Sequence, residues 1–375
     1  MIICSKEKCT GCFACMNKCP KDAISIDIDE LGKTVPVINL KKCVECGVCK
    51  RICPVNNPVE KYEPKKIYAA WSKQEKDIRL SSSGGAASVF ARRVIADGGK
   101  VFGAACIDAN IAHVKIEKEE DIEKIRGSKY VQSNIGLTYR AVENDLIDKK
   151  TVLYTGTPCQ IAGLRKYLGK EYVDLYTVDL ICHGTPPTAY LKEHLDTVLK
   201  NHKCWDHLAF RGEYNYILTV YHGNKILYKQ PSELDTYFRA FLDGLICRDN
   251  CYKCIYANKN RVGDITVADF WGIDRNIMEH HYDGRISLIL INSKKGDKLF
   301  ERIRNELVWE EHSLAEAMSP EQTNIHHPTV PHKDRGLFET IYKNKGFEAA
   351  IKATQVGKNI QRLRIRRFLK GFLRI

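Results

Sequence analysis

The sequence predicts a mixed α/β (α+β) protein in three parts: a small cysteine-bound module over residues 1–57, a larger α/β domain over 67–330, and a basic helical tail over 331–375. Three observations predict it. Cysteines crowd into two groups within the first part; strand-like and helix-like stretches alternate from Ile67 onward; and no acidic residue follows Glu348. A length of 375 residues supports more than one core. The apolar fraction of 44% and charged fraction of 28% are those of an ordinary globular chain, and the 16 cysteines are the departure.

The opening MIICSKEKCTGC has no apolar stretch of signal-peptide type. Clustered cysteines in a chain kept from an oxidising compartment read as metal ligands or catalytic thiols rather than disulfides. No apolar run reaches the length needed to cross a bilayer, and Ile286 to Ile291 is a buried strand at most. The expectation is a soluble, cytoplasmic protein. The formal charge of +13 would suggest nucleic acid or an anionic surface as partner. Thiolate-bound clusters soften it: three at about −2 each leave roughly +7. The basic residues also do not interleave with aromatics along a predicted sheet face, so no nucleic-acid partner is expected.

The first module carries the sharpest signal. Cys9, Cys12, Cys15 and Cys19 precede Pro20, and Cys43, Cys46, Cys49 and Cys53 precede Pro54, so C-x2-C-x2-C-x3-C-P occurs twice. Three cysteines at this spacing wrap one cubane, and the fourth reaches the other cluster. The expected sets are Cys9, Cys12, Cys15 and Cys53 for one [4Fe–4S] cluster, and Cys43, Cys46, Cys49 and Cys19 for the second. Zinc sites use four ligands, usually in two spaced pairs, and do not suit proline-ended quartets. A module this short and poor in large apolar side chains needs such clusters as staples. Cys4 lies outside the pattern and reads as a spare thiol.

A proline-bearing linker, Pro54 to Lys66, leads into the larger domain. Strands are expected at 67–71, 101–106, 151–155, 173–181, 206–211, 216–221, 264–270 and 286–291. Helices are expected at Ala86–Ala96, near Leu137–Asp148, and from Pro158. Such alternation favours a sheet with parallel strands.

Several short motifs in this domain suit a ligand, each with a plainer reading beside it. SSSGGAAS, with Ser83, Gly84 and Gly85, opens a helix where free N–H groups favour a phosphate, and it equally suits a flexible N-capped turn. GSKYVQS offers Lys129, Tyr130 and Ser133 as phosphate contacts or as an ordinary polar turn. Thr155, Gly156, Thr157 and Pro158 form a strand-to-helix turn that suits an anion, a ring edge or nothing at all. Asp264 and Asp269 are cofactor contacts or strand-end caps. Cys251 and Cys254 form a C-x2-C pair, and Cys159 and Cys182 each follow a predicted strand. Strand ends converge on one sheet edge, so these four suit a third [4Fe–4S] site, a zinc site, or scattered buried thiols. Cys247 is a substitute ligand; Cys106 and Cys204 read as structural. His183, beside Cys182, is the candidate proton donor or a packing histidine.

Taken in order, SSSGGAAS, GSKYVQS, TGTPCQIAGLR, LICHGTPP, CYKC and GDITVADFWGI resemble the coenzyme F(420) hydrogenase/dehydrogenase beta-subunit family over roughly residues 67–275. The resemblance implies an FAD-binding domain with a [4Fe–4S] cluster, preceded in some members by a two-cluster ferredoxin region. It implies the third cluster at Cys159, Cys182, Cys251 and Cys254. It also implies a flavin shell made by the Ser83–Gly85 loop, Lys129, Tyr130, Ser133 and the Thr155–Pro158 turn. Substrates in the family include a deazaflavin coenzyme and chlorophyll derivatives, and bacterial members with a ferredoxin-first layout accompany polysaccharide biosynthesis. The implied function is an iron–sulfur flavoprotein oxidoreductase relaying electrons between a ferredoxin-like partner and a small organic substrate. The alternative is an electron-transfer subunit of a larger redox complex with no substrate site of its own. No G-x-G-x-x-G occurs, which argues against a Rossmann-bound nicotinamide donor.

In the tail, a helix from Arg364 would set Ile365, Phe368, Leu369, Phe372 and Ile375 on one face, and Arg366, Arg367, Lys370 and Arg374 on the other. That pattern suits an anionic membrane surface, a partner, or packing on its own domain.

Overall fold

The computed structural model describes residues 2–200, 204–212 and 215–372. In the N-terminal module each cysteine group forms a loop ending in a one-turn helix, Ala14–Asn17 and Val48–Arg51. Between them lies an antiparallel hairpin, β1 (Ile24–Ile28) and β2 (Thr34–Ile38), with Ile24 opposite Ile38. The two loops repeat one backbone trace. Gly11 and Phe13 have φ of 65° and 50°, and Glu45 and Gly47 have 53° and 71°. Glycine takes this left-handed conformation freely. Phe13 and Glu45 do so at a cost of about 1–3 kcal/mol each.

The larger domain is built on an eight-stranded sheet. Its strands are β3 (Lys66–Ser72), β4 (Lys100–Ile107), β5 (Asn110–Ile116), β6 (Val152–Thr155) and β7 (Leu175–Leu180), followed beyond a smaller sheet by β11 (Ile265–Asp269), β12 (Ser287–Ile291) and β13 (Leu307–His312). The order is β13-β3-β12-β11-β7-β6-β4-β5. β11, β7, β6 and β4 run parallel, and the outer strands are antiparallel. Alternation with period two explains how the sheet is covered on both faces. Tyr68, Ala70, Ile289 and Ile291 pack with Phe90, Val94 and Phe300, from helices Ala86–Ala96 and Lys294–Ile303. Ile67, Ala69, Leu288 and Leu290 point the other way.

The smaller antiparallel sheet is β8 (His207–Arg211), β9 (Tyr216–His222) and β10 (Lys225–Pro231). It shares a second core with helices Thr188–Leu199, Thr236–Leu242 and Arg335–Ala353, through Leu195, Phe210, Val220, Phe238 and Phe347. The 331–375 segment is therefore only partly a tail. A last helix spans Gln355–Phe372; its Val356 and Ile360 are buried, whereas Ile365, Phe368 and Leu369 are exposed. Arg364 donates to the Leu234 carbonyl at 2.7 Å and Arg367 pairs with Glu233 at 2.8 Å. Packing on its own domain thus buries the start of this helix, and Arg364 and Arg367 tie its later turns to the same domain. Arg374 and Ile375 lie outside the described residues. No helix among the described residues is long and apolar enough to cross a membrane.

The expected strands and helices occur within a few residues of their expected ends. β1, β2, β5, β10 and β13 were not expected. β5 and β10 carry exposed polar positions, and β13 ends in Glu310, Glu311 and His312, so none shows the apolar run that marks a buried strand.

Candidate functional site

The parallel strands β6, β7 and β11 all end on one edge of the sheet, where an α/β sheet opens a crevice. There Thr155–Thr157, Ile181–Gly184 and Asp269–Trp271 surround a cavity of about 440 Å³. Its size is that of a cofactor or substrate site. Ser83, Gly85, Lys129, Tyr130, Ser133, Thr155, Gly156, Thr157, His183 and Asp269 line it, as does Cys182.

Three expected residues do not: Gly84, Pro158 and Asp264, whose buried carboxylate accepts from Thr177 N–H at 2.9 Å, Thr177 Oγ at 2.8 Å and Ser293 Oγ at 2.6 Å. Gly84 is sealed against the sheet: a Cβ there would sit 2.5 Å from the Ala70 carbonyl oxygen and 2.9 Å from the Ser287 nitrogen. Pro158 starts helix Pro158–Leu168 behind a capping box of Thr157 and Gln160, and is buried in that helix. Gly84 and Pro158 serve the turn rather than the ligand.

Several wall residues are held by neighbours remote in sequence. Ser133 Oγ lies 2.8 Å from His113 Nδ1 and accepts from Gln160 Nε2 at 3.1 Å. His113 Nε2 lies 3.0 Å from the Thr155 carbonyl oxygen. Burial, aided by the Lys129 charge, draws His113 down to about 4, so it is neutral at physiological pH. Lys129 Nζ donates to the carbonyls of Arg126 at 2.7 Å and Lys124 at 3.2 Å, and burial draws its ammonium down to about 8. Asp269 pairs with Arg211, which stacks on Tyr216 at 4.0 Å; burial pushes the carboxyl up. His183 has both ring nitrogens engaged. Nδ1 is 3.2 Å from Asn324 Oδ1 and Nε2 is 3.2 Å from the Phe241 carbonyl oxygen, so both nitrogens face protein oxygens. Burial lowers it, and it acts in this conformation as an anchor between two segments.

Sequence reasoning missed His113, Gln160, Asn324 and Trp271 in this wall. Gln160 alone had a local signal, the T-P-C-Q capping box.

The donor set suits a phosphate-bearing aromatic group. Ser81, Ser82 and the start of helix Ala86–Ala96 supply hydroxyl and N–H donors, whereas the Ser83 hydroxyl already donates to the Ile286 carbonyl at 2.9 Å; Lys129 supplies a cation, and Trp271, Tyr216 and Phe241 ring faces. Gln322, also in the wall, has a buried Oε1 without a partner.

The cysteines form three groups. Cys9, Cys12, Cys15 and Cys53 lie within electrostatic reach of one another. Cys4 joins them: its thiol bonds Cys53 and Cys9, which lowers theirs and raises its own. Cys19, Cys43, Cys46 and Cys49 surround a separate small cavity. Cys159, Cys182, Cys251 and Cys254 face one another in the larger domain. Burial raises the Cys159, Cys182, Cys251 and Cys254 thiols, Cys182 to about 12. Ligation of a cation is what turns such thiols into thiolates. Among the described residues no three ligand-type side chains are close enough to hold a single metal ion. A cubane keeps its four thiolates apart at its corners, which the three groups suit better. Cys247 is buried against Gly184 and within hydrogen-bonding range of Tyr252. Cys106 donates to the Asp206 carbonyl at 3.5 Å, and Cys204 is exposed.

Cys12 packs against the helix that carries Cys159. Cys12 Sγ lies 3.0 Å from where a Cβ on Gly163 would be, and Gly163 is one helical turn beyond Cys159. Buried Tyr256 lies within electrostatic reach of Cys12 and Cys53 on one side and of Cys159 and Cys254 on the other. The Cys19–Cys43–Cys46–Cys49 group is the outer one, with Cys46 exposed.

Comparison with known proteins agrees with this layout. Residues 8–57 match the 4Fe-4S dicluster domain, and residues 149–317 match the C terminus of the coenzyme F420 hydrogenase/dehydrogenase beta subunit. The coenzyme F420-dependent sulfite reductase of Methanocaldococcus jannaschii is 27% identical over 186 residues, 48% of this chain and 28% of that protein, so the match spans under a third of the reductase. An uncharacterized ferredoxin of the same organism is 38% identical over 66 residues, 17% of this chain and 84% of the ferredoxin. A chain of the F420-reducing [NiFe] hydrogenase complex from Methanosarcina barkeri superposes with a TM-score of 0.47 at 16% identity, covering 78% of this chain and 91% of that one.

Proposed function

We propose that this chain, an iron–sulfur redox protein whose residues 149–317 are related to the C terminus of the coenzyme F420 hydrogenase/dehydrogenase beta subunit and whose residues 8–57 match a 4Fe-4S dicluster domain, is an oxidoreductase acting between a ferredoxin-like partner and a small organic substrate, with three [4Fe–4S] clusters and FAD as cofactors. One observation carries the reading. Cys182 forms part of the cavity wall, Tyr256 lies in reach of both its group and the Cys9–Cys12–Cys15–Cys53 group, and the remaining group has Cys46 exposed.

Ser81, Ser82, the helix start at Ala86 and Lys129 would hold the phosphates of the flavin, and Trp271, Tyr216 and Phe241 its ring system. A bound flavin supplies exchange of electrons in pairs or singly. The protein's own side chains do the rest. Lys129 keeps one N–H beyond its two carbonyl acceptors and is poised to give up a proton near neutral pH. Neutral His113 orients Ser133, and His183 braces the wall through Asn324. The coenzyme F420 named in the matching family and relatives makes a deazaflavin coenzyme the first substrate to assay.

Anaerobic analysis of iron, acid-labile sulfide and released flavin tests the proposal. About twelve irons and one FAD per chain are expected. About eight irons and no flavin would leave an electron-transfer body without a substrate site.

A further inference from the structure

The buried arginines of this protein are matched by carboxylates, with one exception. Arg261 pairs with Asp179, Arg92 and Arg126 with Asp77, and Arg211 with Asp269. Arg248 is 2% exposed and has no carboxylate partner among the described residues. The acidic residue next to it, Asp249, is taken by Lys33 and Arg335. Among the described residues the guanidinium meets neutral oxygens: the Thr34 carbonyl at 3.1 Å, Thr34 Oγ1 at 3.4 Å, Gln132 Oε1 at 2.9 Å and the Cys9 carbonyl at 3.2 Å. Its Nε is buried with no acceptor. A buried cation in that state is costly unless a negative charge lies close by.

The sequence neighbours show where that charge belongs. Arg248 precedes Cys251, whose backbone N–H donates to the Arg248 carbonyl at 3.0 Å, and its side chain reaches across to the loop of Cys9. Gln132, which accepts from it, also donates to the Gly11 carbonyl at 3.3 Å. The guanidinium thus lies between two cysteine groups and fastens the N-terminal module to the larger domain. A [4Fe–4S] cluster with four thiolates carries about −2, and one more negative charge when reduced.

We propose that Arg248 is the counter-cation of the cluster held by Cys9, Cys12, Cys15 and Cys53, that it raises this cluster's reduction potential above that of the outer cluster, and that it does the same more weakly for the Cys251 site. The inference rests on the reading of these cysteines as cluster ligands. Reduction adds an electron to the cluster, and a fixed positive charge beside it favours the reduced form.

The test is an anaerobic dithionite titration of the full-length, iron-loaded protein followed by electron paramagnetic resonance. Arg248→Gln is expected to shift one N-terminal cluster to a more negative potential and leave the outer one in place; Arg248→Lys should restore it. Gln132→Glu keeps the arginine and sets a carboxylate against it, and should shift the same cluster the same way. Unchanged potentials in iron-replete Arg248→Gln overturn the proposal, as do equal shifts in every cluster. If Arg248→Gln does not retain iron, Gln132→Glu decides by the same criterion. Absence of a third-cluster signal with eight irons would refute the third site alone, because the shift at the Cys9 cluster remains measurable.

Discussion

Gly163→Ala sets two opposing effects against each other. Gly163 sits inside helix Pro158–Leu168, where alanine is the better helix former by about 1 kcal/mol. If the position were merely helical, the variant would be stabilised. The new methyl, however, would lie 2.9 Å from Cys12 Cβ, 3.0 Å from Cys12 Sγ and 3.0 Å from Tyr139 Oη. Overpacking of this kind costs about 1–3 kcal/mol, so the net expectation is a loss of about 0–2 kcal/mol. The strain falls on Cys12, whose side chain must give way. Anaerobic thermal melts paired with iron analysis measure both consequences. The melting temperature should fall, and about four irons should be lost while the outer Cys19 group still loads. Gly336→Ala serves as the control: it too lies in a helix, but a Cβ there meets nothing within 4 Å, so it should stabilise. A Gly163→Ala protein with full iron and a raised melting temperature would refute the close packing of Cys12 on this helix.

Asp77→Asn leaves Arg92 and Arg126 facing a neutral group at a fully buried position; breaking such a buried network should cost roughly 3–5 kcal/mol in urea melts. Buried His194 is bracketed by Asp235 and Glu348, each at 2.9 Å. Burial opposes its charge, yet the two carboxylates hold it up at about 9. With the folded value raised above the unfolded 6.5, this stability, roughly 3 kcal/mol, is fully present below pH 6.5 and is lost as pH rises through about 9. A His194→Gln variant should show a flatter stability profile over that window. The exposed Ile365, Phe368 and Leu369 beside Arg366 and Arg367 predict salt-sensitive flotation with anionic vesicles, lost when residues 365–375 are removed; equal flotation of both chains would exclude a membrane role.

Much of this protein is determined by short-range pattern. The C-x2-C-x2-C-x3-C-P runs specify crossed ligand sets because three close cysteines wrap one corner of space and the proline-ended fourth cannot. Strands such as β12 announce themselves because a strand buried on both faces must be apolar at every position. The turn at Thr155–Thr157 is legible from its capping box. What only the tertiary structure decided is which distant groups meet. His113 reaches Ser133, Asn324 engages His183, and Arg248 reaches Cys9 across 239 positions. Gly163 likewise reads as an ordinary helical residue until Cys12 is set against it. Local sequence carries backbone propensity and ligand spacing, whereas burial and charge compensation depend on what the fold brings alongside. Whether a histidine's nitrogens meet protein oxygens, and whether a buried arginine meets a carboxylate or neutral oxygens, is decided at that level.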